Sequence, residues 1–173
     1  MKKVSSGSLI SYKLISVTGI LLLFCLMDCQ KRECPFSNAS NSPEEIATRF
    51  LTALKDKDED ALWSLMVTEY EYKEILWPPY QAKSGSDSDQ PWFINWMDAK
   101  KTIGRALFDC GGKELKLVRV YFNKGKDKSV GPFRIWRDCR IIVKDKNGEK
   151  QELDYINTVV EMQGCYKVVA YHS

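Results

Sequence analysis

Three patterns of apolar and polar residues follow one another along this chain. From Leu14 to Met27 the residues are almost all apolar, softened only by Ser16, Thr18 and Gly19. From Ser42 to Asp109 apolar residues recur at helical spacing, and from Leu115 to Tyr171 they tend to alternate with polar ones. The first pattern is one oily stretch, the second predicts helices and the third predicts strands.

The helical part opens on Ser42-Pro43-Glu44-Glu45. A capping serine, a proline at the first helical position and a glutamate three residues on form a start signal. Ile46, Phe50, Ala53 and Leu54 follow on one face, widened by Ala47 and Leu51. The charged patch Lys55 to Asp60 interrupts the stripe, and Asp58 is the expected cap of a second helix through Leu62, Leu65 and Met66. Pro78-Pro79 is expected to end whatever Tyr70 to Trp77 forms. Residues 79–91, PYQAKSGSDSDQP, read as a long polar loop, and loops of that length often serve function. A third helix is predicted from Trp92 to Asp109, with Phe93, Trp96, Ile103 and Leu107 on one side and Gly111-Gly112 as its stop.

The strand part consists of LKLVRVYF, FRIWRDCRIIV, QELDYINTVVEM and CYKVVAY, rich in β-branched and aromatic residues. Asn147-Gly148 predicts a hairpin between the second and third, and Gln163-Gly164 a tight turn between the third and fourth. Strands joined by short turns run antiparallel, so the fold class is α+β, with N-terminal helices packed on an antiparallel sheet. The expected domain runs from residue 43 to 173, after a polar tether over residues 29–42.

The oily stretch is fourteen residues long, whereas a membrane-crossing helix needs roughly 20. With Lys2, Lys3 and Lys13 ahead of it, residues 1–28 read as a signal peptide for export, a short uncleaved anchor being the competing reading. Leu26-Met27-Asp28-Cys29 resembles the lipobox of bacterial lipoproteins in its Leu and Cys, and departs from it at Asp28. Leu22-Leu23-Phe24-Cys25 shares the Leu and Cys but lies inside the apolar run, so lipid is expected on Cys29. Cleavage after Ser37-Asn38-Ala39 is the alternative. Lipidation at Cys29 would leave Cys34, Cys110, Cys139 and Cys165, an even number in an oxidising compartment. At least one bridge is expected between two of Cys110, Cys139 and Cys165. No pair among these has the close spacing of a structural zinc site.

Charge excludes little and adds little. The chain carries 26 basic and 23 acidic residues. Without residues 1–28 the balance is nearly even, which gives no reason to expect nucleic acid. The run Arg134, Arg137, Arg140, Lys144 and Lys146 would split between both faces of a strand and reads as a solvated edge.

Phe50, Ala53, Leu54, Asp58, Leu62 and Leu65, with Gly164, Tyr166, Lys167, Val168 and His172 near the end, resemble the opening and closing motifs of the NTF2-like superfamily. That is the cone fold shared by ketosteroid isomerase and the SnoaL-like proteins. The resemblance spans roughly residues 43–173. It implies a curved sheet wrapping the helices, a pocket inside the cone, and a homodimer formed through the sheet. It transfers no catalytic motif.

The only histidine is His172, which argues against a His-built metal centre or a Ser-His-Asp triad. An isomerase-type cone needs only a carboxylate base and a neutral donor. Asp98 or Glu161 could be the former and Tyr70 or Tyr72 the latter, against the plainer reading of exposed side chains. Tyr70, Trp77, Trp92, Trp96, Asp98 and Trp136 are the expected pocket lining, since Trp favours sites with one wet end. Core filling is the alternative for the tryptophans. The expected function is therefore an exported, lipid-anchored protein of the bacterial cell envelope that binds a small apolar ligand or a partner. It would use no cofactor or metal and perform no chemistry. A small isomerase or dehydratase is the alternative.

Overall fold

The computed structural model describes residues 34–84, 90–122 and 128–172. The expected signal segment, Cys29, the expected tether as far as Glu33 and residues 85–89 of the expected loop lie outside the described residues.

Helix α1 (Pro43–Asp56) starts where the capping signal places it, with the Ser42 hydroxyl accepting from the Glu45 N–H at 3.1 Å. The Glu45 carboxylate accepts from Asn41 at 2.7 Å, so the reciprocal half of the box is displaced by one residue. Ile46, Ala47, Phe50, Leu51, Ala53 and Leu54 are all buried, as the stripe implies. Helix α2 (Glu59–Ser64) is capped by the Asp58 carboxylate, which accepts from the Ala61 N–H. A short turn, α3 (Glu69–Glu71), is closed by Thr68 and Glu71 in a complete capping box.

Pro78-Pro79 does not end a helix. A π-helical turn, Tyr72–Leu76, runs directly into α4 (Trp77–Ser84). Pro78 and Pro79 follow just after the π-turn and, lacking N–H groups, cannot donate back into it. Much of the expected loop is therefore helical. Helix α5 (Gln90–Cys110) is slightly longer than predicted; of its expected inner side Ile103 is buried and Leu107 packs against the core, while Phe93 and Trp96 are exposed. Ala99, Thr102, Ile103, Ala106 and Cys110 are buried, while Phe93 and Phe108 are exposed. Small residues let α5 lie close against the rest of the body. Gly112, at φ +80°, ends the turn after α5 in a conformation that suits glycine.

The strands are β1 (Lys116–Tyr121), β2 (Lys128–Val130), β3 (Phe133–Arg137), β4 (Arg140–Lys144), β5 (Lys150–Leu153), β6 (Ile156–Met162) and β7 (Cys165–Tyr171). They form two antiparallel sheets, ordered β1-β4-β5 and β2-β3-β6-β7. Two predicted long strands are thus each cut in two. They remain one bent hairpin folded at Asn147-Gly148: β3 pairs with β6, and further along β4 pairs with β5. Between the Arg137–Thr158 and Ile141–Leu153 pairs, one side carries one residue more than the other. Asp138 takes a left-handed φ of 52° at this bend, a conformation Asp tolerates better than most residues. The bend sends the chain from one sheet into the other.

The tether expected over residues 29–42 ends early, because residues 34–42 belong to the folded body. Phe36 and Ser40 are buried. Ser40 and Tyr166 exchange backbone hydrogen bonds of 2.9 and 2.7 Å. Cys34 is disulfide-bonded to Cys165 at the start of β7, with Cα atoms 5.9 Å apart. The bridge expected within Cys110, Cys139 and Cys165 is therefore corrected: Cys110 and Cys139 are free and buried. Among the described residues no helix is long and apolar enough to cross a membrane.

Candidate functional site

A cavity of about 550 Å³ lies between the helices and the β2-β3-β6-β7 sheet. Its helical side is made by Tyr72 and Leu76 of the π-turn, Trp77 and Tyr80 of α4, and Asn95 of α5. In the π-turn the Trp77 N–H donates to the Tyr72 carbonyl five residues back. Such widened turns are frequent at functional sites. Tyr72, Trp77 and Tyr80 form an aromatic ladder, with centroids 6.1 and 5.7 Å apart.

The sheet side follows from period-two alternation. Phe133, Ile135 and Arg137 of β3 face the cavity, and Arg134 and Trp136 face away. Direct pairing puts Ile135 beside Val160 and Val160 beside Lys167; one step along, Arg137 lies beside Thr158 and Thr158 beside Ala170. Across β3, β6 and β7 each of these two rungs thus carries one cation, Lys167 or Arg137, and the two are treated differently.

Lys167 is 2% exposed and Glu71 4%. The Lys167 ammonium donates to the Glu71 carboxylate at 2.8 and 3.2 Å and to the Ser37 hydroxyl at 3.3 Å. That carboxylate also accepts from the Ser37 N–H at 2.6 Å, the Ser37 hydroxyl at 2.8 Å and the Thr68 N–H at 2.7 Å. Burial alone would raise the Glu71 carboxyl, but its hydrogen bonds from Lys167, Thr68 and Ser37 prevail and hold it below the ordinary carboxylate range. This cluster is a closed structural device, with its charges matched internally.

Arg137 is half-buried on the cavity wall, and its guanidinium makes no hydrogen bond or ion pair among the described residues. The side-chain amides of Asn157, on the sheet side, and of Asn95, on the helical side, are likewise unpartnered among them. Asp138 also borders the cavity and has interactions of its own within the protein. On the sheet side Arg137, Asp138, Asn157 and Thr158 thus form a polar patch, and most of the remaining lining is aromatic or aliphatic.

The lining differs from the expected one. Trp77 borders the cavity, while Tyr70, Trp92, Trp96, Asp98 and Trp136 do not. Tyr70 is 71% exposed. Trp92 packs behind Tyr72 at 5.5 Å, and Trp96 stacks on the surface with Trp63 and Phe93. Asp98 is half-buried away from the wall. Trp136 stacks on Phe122 at 5.2 Å, on the face of β3 opposite Arg137. Glu161 accepts weakly from the Gly164 N–H at the β6–β7 turn and also stands off the wall. His172 is exposed, and its backbone carbonyl accepts from the Thr102 hydroxyl.

Burial pushes the Cys139 thiol up to about 12, so it is protonated and inert at neutral pH. Among the described residues no group of three His, Cys, Asp or Glu could hold a metal ion. Pattern reasoning missed the Glu71–Lys167–Ser37 cluster, although Thr68-x-x-Glu71 is a capping-box signature. It also missed Arg137, which reads as one member of a basic run. No family model, curated protein or solved structure matches this chain.

Proposed function

We propose that this chain is an exported protein, held at the bacterial cell envelope by lipid on Cys29, that binds a small, largely apolar ligand without transforming it. The observation that carries this reading is the cavity of about 550 Å³ walled by Tyr72, Leu76, Trp77, Phe133, Ile135 and Val160. Its size falls within the range of small-molecule sites, roughly 300–1,000 Å³, and such sites combine apolar walls with a few placed polar groups. A helical layer against a bent antiparallel sheet is the arrangement expected of an NTF2-like cone, and a cavity between the two is where such a cone would hold its ligand. Intact mass of protein purified from its native membrane tests the anchor: a mature chain starting at Ser40 or Met1 would refute it. Tryptophan fluorescence titrated with a panel of hydrophobic ligands tests the pocket, since Trp77 borders it. A flat response across the panel would refute ligand binding.

One observation favours the second reading, an isomerase or dehydratase. Asp138 places a carboxylate on the cavity wall, where a general base would stand. Ligand binding that survives Asp138→Asn, with no turnover in the parent protein, supports binding without chemistry. Turnover that disappears in that variant would establish the enzyme.

A further inference from the structure

We infer that the cavity takes an amphiphile with a single negative charge, a chain-bearing carboxylate, whose head group is held by Arg137 and whose tail lies along Trp77 and Tyr80. This rests on the reading of the cavity as a binding site and goes further by naming the ligand's chemistry. Four observations point the same way. Across β3, β6 and β7 the sheet carries two cations one rung apart, and the protein supplies a dedicated carboxylate to only one of them, Lys167. Arg137, on the wall itself, has no partner among the described residues. Asn95 and Asn157 border the same cavity with free amide groups, donors suited to a carboxylate oxygen. The remaining wall is the aromatic ladder and the aliphatic Leu76, Ile135 and Val160, suited to a hydrocarbon chain.

A guanidinium grips a planar carboxylate through two parallel hydrogen bonds, which fixes orientation as well as charge. One unmatched arginine beside the already engaged Asp138 matches one negative charge rather than the nearly two of a phosphate monoester.

The test uses decanoate, decanol and decyl phosphate, each titrated into the folded protein below its micelle concentration and followed by tryptophan fluorescence and calorimetry. Decanoate should bind at least roughly tenfold more tightly than decanol, the scale of a hydrogen-bonded charge. Arg137→Gln should erase that preference, and Arg137→Lys should retain part of it. Equal binding of decanoate and decanol by the parent protein would overturn the inference while leaving the ligand-binding function standing. Tighter binding of decyl phosphate than of decanoate would overturn the single-charge assignment. No binding of any of the three, or of the broader hydrophobic panel, would overturn both readings together. The acid–alcohol comparison is made on the parent protein, so it stands even if a variant folds poorly.

Discussion

Across β3, β6 and β7, two adjacent rungs of the sheet, Ile135–Val160–Lys167 and Arg137–Thr158–Ala170, each carry one cation. At the first, the charge is matched inside the protein. Glu71 is delivered by a capped turn, and Ser37 by a segment held down by the Cys34–Cys165 bridge. At the second, no described residue makes a hydrogen bond or ion pair with the guanidinium, and it borders the open cavity. Burying an unpaired charge is expensive, so a cation is kept either by closing it with a partner or by leaving it access to water or ligand. The contrast teaches that the charge at Lys167 belongs to folding and the charge at Arg137 to recognition.

The largest effect should come from breaking the closed rung. Glu71→Ala leaves Lys167 buried without its carboxylate, and urea denaturation should show a loss of about 3–5 kcal/mol. A loss of a few tenths would mean that Lys167 reaches water and that the rungs do not differ. Next comes the bridge. Replacing Cys34 and Cys165 together with serine frees two residues 131 apart in sequence and should cost about 2–4 kcal/mol. Decanoate binding should persist in that variant, because the open rung is untouched. Its disappearance would show that the two rungs are one unit.

The third effect is a pH dependence. The Glu71 carboxyl titrates below its ordinary value of 4.5 when folded. Its contribution is therefore complete above that value and is lost as pH falls through the lower folded value. Stability of the parent protein should decline on that acid limb, and Glu71→Gln, already weakened, should show a flatter one. An unchanged slope would assign the acid sensitivity elsewhere.

The smallest effects sharpen the map of the wall. Tyr80→Ala, at a partly exposed wall position, should weaken decanoate binding a few-fold with little change in stability. Trp96→Ala should leave binding unchanged, since Trp96 stacks on Trp63 and Phe93 away from the cavity. A reversed order in calorimetry would show that the ligand lies against α5 instead.

These distinctions were unequally legible in the sequence. Caps at Ser42 and Asp58 and the turns at Asn147-Gly148 and Gln163-Gly164 are local devices, written in adjacent residues, and the α+β order followed from them. The π-turn is not, because no residue preference announces a hydrogen bond five residues back, and Pro78-Pro79 then read as a stop. The division of two long strands depended on the left-handed Asp138 and a one-residue slip in pairing, which alternation alone does not reveal. The Cys34–Cys165 pairing joins the two ends of the folded body, and cysteine spacing does not determine connectivity. Trp77 is the one expected tryptophan on the wall, and the same preference for a wet end pointed equally to Trp92, Trp96 and Trp136, which pack elsewhere. Arg137 was hidden, because a cation in an alternating strand looks solvated until the register of β3 on β6 fixes which way it faces.

The most direct measurement compares urea denaturation of the parent protein and Arg137→Gln, each with and without saturating decanoate. Without ligand the two should coincide within about 0.5 kcal/mol, since a side chain without protein partners contributes little to folding. With ligand at a hundred times its dissociation constant the parent should gain about 2.7 kcal/mol, and the variant far less at the same concentration. A variant several kcal/mol less stable in the absence of ligand would make Arg137 a structural cation like Lys167. A parent protein unmoved by decanoate would contradict the account at its centre.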